Sequence, residues 1–256
     1  MKFGPVPIET AAGAYLAHSV RLDRGTLKKG RRLGDEDVAR LAEAGVAEVV
    51  VARLDPGDAH EDVAAARIAA ALLGAGGAVG LRASAAFTGR VNLFAEAAGV
   101  LTVDRARIDR INAVHESVTV ATLPPYAAME ARQMAATIKI IPFAAPEAAV
   151  AEAEAIAREA VEAAEEPAIR LHAYRPIRAS LIQSTLPSVK ASVLDKTVGV
   201  TADRLSALGG ALAGERRAAH AADAIAAAIR AADADDADIL LIAGASAIVD
   251  RADALP

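Results

Sequence analysis

The chain contains no cysteine and no tryptophan, and its aromatic side chains are three tyrosines and four phenylalanines. Without cysteine there can be no disulfide, no thiolate nucleophile and no thiolate-bound metal. With only 3% aromatic but 54% apolar residues, the apolar content is largely alanine, so helices should approach closely through small side chains. Positive charge is also short: 28 Lys and Arg against 33 Asp and Glu leave a formal charge of -5, with a sequence pI of about 5.6. That balance gives no global attraction for nucleic acid or an anionic membrane, so an anionic ligand has to be held locally. No apolar run approaches the length of a bilayer span, and Met1-Lys2-Phe3-Gly4-Pro5-Val6-Pro7 lacks the apolar core of a signal peptide. The expectation is a cytoplasmic protein without a membrane or nucleic-acid partner.

The length of 256 residues allows one large domain or two smaller ones. A boundary between Pro167 and Pro176 divides the chain into a mixed α+β region, 1–170, and an α/β region, 171–256. In the first, Ala17–Leu22 is expected as a strand, acidic Asp35, Glu36 and Asp37 open a helix stopped by Gly45, and Val46–Val51 follows as a strand. Helices are expected over His60–Leu73, before the break at Gly74-Ala75-Gly76-Gly77, over Thr88–Ala98 with Thr88 as cap, and over Asp104–Ile111. Val118–Leu123 and Ala136–Phe143 read as strands, and Pro146–Glu166 as an Ala/Glu helix whose carboxylates form a solvated face. The basic group Lys28, Lys29, Arg31 and Arg32 reads as a solvated turn.

The second region alternates strand and helix. Ala179–Thr185 reads as a strand opening into a loop, Lys196–Leu208 as a helix ended by Gly209-Gly210, and Ala221–Ala232 as another helix. Asp238-Ile239-Leu240-Leu241-Ile242 then has the uninterrupted apolar run of a strand buried on both faces of a parallel sheet. Such spacing predicts parallel pairing through crossovers, with ligands at the carboxyl ends of the strands.

The five histidines, His18, His60, His115, His172 and His220, are scattered singly with no metal-ligand spacing, and no base can be assigned to Ser184, Ser188 or Ser246 from sequence alone. Two strand-end loops remain. One carries Ser184, Thr185 and Lys190 and runs on to Asp195, Lys196 and Thr197; the other is Gly244-Ala245-Ser246 with Asp250. Hydroxyls, backbone N–H groups and two lysines suit a phosphate, and carboxylates suit ring N–H donors or a divalent cation.

These loops resemble the molybdopterin-binding domain family of molybdenum-cofactor biosynthesis, which includes the molybdotransferases and adenylyltransferases. Ser184-Thr185, Asp195-Lys196-Thr197, Gly209-Gly210, Asp238 and Gly244-Ala245-Ser246 with Asp250 stand at matching positions. The stretch from His18 to Val51 is similar to an N-terminal part of the molybdotransferases. The resemblance implies a C-terminal three-layer αβα domain. It also implies molybdopterin or molybdenum cofactor as ligand with Mg²⁺, roles for Asp195 and Asp250 in any catalysis, and ligand contacts from Ser184, Thr185, Lys190, Lys196, Thr197, Gly244, Ala245 and Ser246. Leu186-Pro187 stands where catalytic relatives carry Gly-Asp, which favours binding over turnover. Relatives continue into a Pro/Gly-rich segment, and some are fused to a nucleotidyltransferase. A homo-oligomer, and a nucleotidyltransferase domain or protein as partner, are therefore expected. Two alternatives share these loops: a pyridine-nucleotide deamidase and a non-catalytic cofactor-sensing module.

Overall fold

A computed structural model describes residues 1–74, 80–159 and 167–245. The chain is mixed α and β and divides into two compact units, Met1–Ala173 and Tyr174–Pro256.

In the first unit, small antiparallel sheets carry the fold. Lys2–Pro7 and Tyr15–Leu16 flank Glu48–Arg53, and Ile8, Leu16, Leu27, Leu33, Leu41, Val49 and Val51 close over this sheet with the helix Asp35–Glu43. Asp37, expected only as a helix-start charge, is buried; its carboxylate accepts from the Gly34 backbone N–H and from Nε of Arg31, which stays exposed in the basic turn. The larger core lies beneath a four-stranded antiparallel sheet in the order Val118–Thr122, Met134–Ile140, Arg90–Ala95, Leu81–Ala83. Val91, Leu93, Val118, Val120, Ile138 and Ile140 project from one face of it into a cluster with Ile68, Leu72, Ile108 and Ile111 of the helices Glu61–Leu73 and Arg105–Val114. Alternate residues project from the other face, as a period of two requires.

Several expectations are corrected here. Thr88–Ala98 is a hairpin and a strand rather than a helix: Thr88 and Gly89 both take positive φ (48° and 70°), and Arg90–Ala95 alternates exposed and buried. Thr-Gly set before Arg-Val-Asn-Leu-Phe-Ala is a hairpin signal, which outweighs the capping tendency of Thr. The helix Glu147–Arg158 does not carry only solvated carboxylates: Glu154 is buried, bonded to Arg67 at 2.6 Å and Arg158 at 3.0 Å, and Glu147 also reaches Arg67. The glycine break at 75–77 and the expected last turns of this helix, 160–166, lie outside the described residues.

In the second unit, three parallel strands run in the order Ala211–Ala219, Arg178–Thr185, Ile239–Ala243. The strand Ala211–Ala219 carries no strand signal in its sequence, because Ala-Leu-Ala-Gly-Glu-Arg-Arg-Ala-Ala holds no β-branched or aromatic residue. Pairing with Arg178–Thr185 along its whole length makes it a strand. The strand buried on both faces is not Ile239–Ala243 but Arg178–Thr185, in which Ala179 to Ser184 are all buried. Among the described residues Ile239–Ala243 is an edge, with Ile239 43%, Leu240 37% and Ile242 41% exposed. The helix Ala191–Ala207 begins more than a turn before the expected Lys196. Gln183 donates to the Leu194 carbonyl of this helix, whereas its neighbour Ile182 packs with Ile225 and Ala232 of the segment that includes the helix Ala222–Ala232. Gly209 takes φ 78°, and a side chain at Gly210 would meet the Ile177 carbonyl at 2.8 Å, so both glycines are required where the chain turns into the strand Ala211–Ala219.

Candidate functional site

The carboxyl ends of the three parallel strands meet at Ser184. Its Oγ accepts from the Ala245 backbone N–H at 2.7 Å and lies 2.9 Å from His220 Nδ1, with the side chain buried. One hydroxyl on the central strand thereby joins the residue after Ala211–Ala219 to the loop after Ile239–Ala243. The join is reinforced by His220, whose N–H donates to the Thr185 carbonyl at 3.0 Å, and by Thr185 Oγ1, which donates to the Ala218 carbonyl at 3.1 Å. The Ser184–His220 pair was not legible in the sequence, where 36 residues separate them. Parallel pairing of Ser184 with Ala218 brings His220 to the strand end. With the Ala245 N–H on Oγ, either the hydroxyl donates to Nδ1 or a protonated Nδ1 donates to the hydroxyl.

The residues expected to contact a ligand separate into two groups. Ser184, Thr185, Gly244 and Ala245 come together, with Gly244 exposed directly after its strand. Lys190 is the N-cap of the helix Ala191–Ala207, exposed and supplying no side-chain cap, so this 17-residue helix turns an uncapped N-terminus towards the loop after the central strand. Such an end favours an anion. Asp195, Lys196 and Thr197 stand farther along that helix. Asp195 is spent on Arg217 at 2.6 Å, Lys196 is exposed, and Thr197 Oγ1 donates back to the Val193 carbonyl. Arg217 sits opposite Gln183, whereas Ser184 points to the other side of the same strand. Asp195 and Ser184 therefore occupy opposite faces of the sheet. Ser246 and Asp250 lie outside the described residues.

Several charges around the parallel sheet are paired. Asp235 bonds Arg216 and the buried Ser180, and these partners hold its carboxyl down at about 2. Arg217 also reaches Glu215, and both carboxylates raise its guanidinium above the usual range, Glu215 most. Among the described residues no group of three or more His, Asp or Glu is placed to hold a metal ion, and no helix is long and apolar enough to cross a membrane.

In the first unit one titratable cluster stands apart. Glu61 opens the helix Glu61–Leu73 and is buried; burial, with help from Asp62, pushes its carboxyl up to about 7. Next to it, His60 Nδ1 accepts from the Asp62 N–H, leaving the proton on Nε2, which is buried and has no partner among the described residues. The Tyr15 ring lies 4.5 Å from the His60 ring. These groups sit where Tyr15, Lys29 and Phe3 approach Phe143 and His60.

Among known families, the model of a domain of unknown function, DUF8806, matches residues 5–53, the stretch that contains most of the first small sheet and the helix Asp35–Glu43. No curated protein and no solved structure matches the chain.

Proposed function

We propose that the second unit is a ligand-binding α/β domain of molybdopterin-binding type, and that the chain binds molybdopterin or molybdenum cofactor during its synthesis or hand-over. The observation that carries this reading is the convergence of three parallel strand ends on Ser184, since ligands of open α/β sheets bind at that edge. Gln183 on one side of the central strand and Ile182 on the other, each packed on a different helix, support a three-layer αβα arrangement.

The residues fit such a ligand in part. Gly244, Lys190 and the uncapped helix start would take its phosphate. Ser184 and Thr185 spend their hydroxyls inside the protein, so they position the loops rather than touch the ligand. Asp195 does not fit the role of pterin or Mg²⁺ ligand while it is paired with Arg217. A bound molybdopterin would supply the dithiolene that holds molybdenum; this chain's groups would bind and orient its phosphate. With Asp195 elsewhere, the reading is binding and hand-over, with adenylyl or molybdate transfer assigned to a partner such as a nucleotidyltransferase. The protein is expected to act in the cytoplasm as a homo-oligomer, whose exposed edge Ile239–Ala243 would pair with a second copy.

The Ser184–His220 pair favours one second reading, hydrolysis of a pyridine nucleotide with the hydroxyl activated by the imidazole. Burial of Ser184 and its bond to the Ala245 N–H weigh against it as nucleophile. Titration calorimetry with molybdopterin, its adenylylated form and nicotinamide mononucleotide separates the readings. Saturable heat with the pterins and none with the mononucleotide is expected. Release of ammonia from the mononucleotide would replace this proposal with the hydrolase.

A further inference from the structure

The open face of the four-stranded sheet in the first unit carries three crosswise rows of side chains. Strand register sets Thr119, Lys139 and Arg90 in one row, Ala121, Thr137 and Asn92 in the next, and Met134, Phe94 and Arg82 in the third. The opposite face is the one buried on the helices. Arg82, Arg90 and Lys139 are exposed, and no ion pair ties any of them among the described residues. The Arg82 guanidinium lies 5.2 Å from the centre of the Phe94 ring. None of the nine positions is acidic, in a chain with 33 acidic residues. Glu96, Glu116 and Glu130, the acidic residues nearest in sequence, fall outside the strands.

Lys139 and Arg90 are directly opposed across neighbouring strands. Like charges in that relation destabilise a sheet, a cost that an anion on the face would remove. The remaining groups narrow the class of anion. The three rows spread over four strands rather than converging on one point, as the few polar groups of a small-molecule site do. Nine residues also fall short of the roughly 20–30 per side of a stable protein interface. A flexible chain of phosphates making a few spaced contacts suits the geometry, and Phe94 with the amide and hydroxyls of Asn92, Thr137 and Thr119 adds stacking and hydrogen bonding that bases can use.

We propose that this face binds single-stranded nucleic acid over a short site, with Arg82, Arg90 and Lys139 on phosphates and Phe94 beneath a base. The net charge of -5 gives no long-range steering, so binding is local and weak and depends on low salt. Three phosphate contacts on a single strand correspond to a slope of about -2 in log K against log salt.

Fluorescence anisotropy of the intact chain with labelled oligothymidylate tests this. Wild type is expected to bind saturably at low salt with that slope. Lys139→Glu sets a carboxylate opposite Arg90, so it should raise the melting temperature while weakening the oligonucleotide about tenfold or more. Phe94→Ser should weaken oligothymidylate but leave inorganic polyphosphate unchanged. No binding by wild type at low salt overturns the proposal, as does wild-type affinity in a folded Lys139→Glu variant. Unchanged oligonucleotide affinity in Phe94→Ser makes the face an unselective polyanion surface and also overturns it.

Discussion

The two units use the same alanine-rich composition to different ends. In the first, sheets face helices over separate filled cores, in the larger of which Leu93, Leu101, Ile68, Leu72 and Ile138 are wholly buried. In the second, one strand is sealed and its neighbours are not: Ile182 is inaccessible, whereas Ile239, Leu240 and Ile242 stay exposed on the edge strand. Among the described residues no strand pairs with the outer side of Ile239–Ala243. The first unit thus has filled interiors, and the second leaves apolar side chains of one strand exposed.

The largest expected effect tests that contrast directly. Ile138→Ala in the first unit should cost about 2–5 kcal/mol, and Leu240→Ala on the edge strand less than about 1.5 kcal/mol. Denaturant melts of the two variants check it, and equal losses would show that Ile239–Ala243 is covered in solution.

Gly89 sharpens the contrast at the backbone. At φ 70° its added Cβ would meet the Ile140 carbonyl at 2.5 Å and Glu61 Oε2 at 2.8 Å. Gly209 in the second unit has φ 78° and nothing within 4 Å. Gly209→Ala should cost about 1–2 kcal/mol, the left-handed penalty alone, and Gly89→Ala clearly more. Thermal melts of both variants would show the order.

Two carboxyls, one in each unit, answer pH in opposite directions. Glu61 has its folded carboxyl raised to about 7 by burial, so the folded state holds the proton more tightly. Its favourable contribution is complete below the unfolded value and is lost as pH rises through about 7. Glu61→Gln should flatten the fall in melting temperature between about pH 5 and about pH 8. Asp235 is held down at about 2 by Arg216 and Ser180. Its contribution is present above the ordinary aspartate range and is lost as pH falls towards 2. Asp235→Asn should lower stability at neutral pH and remove part of the acid transition of the second unit. Melting curves across pH that shift the same way for both variants would contradict this division.

How far these features could be read from sequence depends on whether their cause is local. The helices Asp35–Glu43, Glu61–Leu73 and Arg105–Val114 announce themselves through first-turn acids, Gly stops and an Asp cap, which are local devices. Ala211–Ala219 has no local strand signal and exists through pairing with Arg178–Thr185, so its sequence does not disclose it. The same holds for the site. Ser184, Thr185 and the Gly244 loop follow from an apolar run ending in small polar residues, but His220 reaches Ser184 only through the register of a strand that local pattern does not disclose. Asp195 was placed at a helix start when it lies inside the helix, and the difference turns its carboxylate to Arg217. Glu61 looks like any first-turn acid; its burial against Gly89 is a tertiary fact.

The central claim is that the three tied strand ends form the ligand edge, and Gly244 offers the most direct test. It is exposed, so a valine there should leave the fold intact while its side chain fills the approach to the backbone. Calorimetric titration of molybdopterin into wild type and into Gly244→Val, with melting curves run on both, should give binding to wild type and none to the variant at unchanged melting temperature. Equal affinity in the two folded proteins would remove this edge from the site.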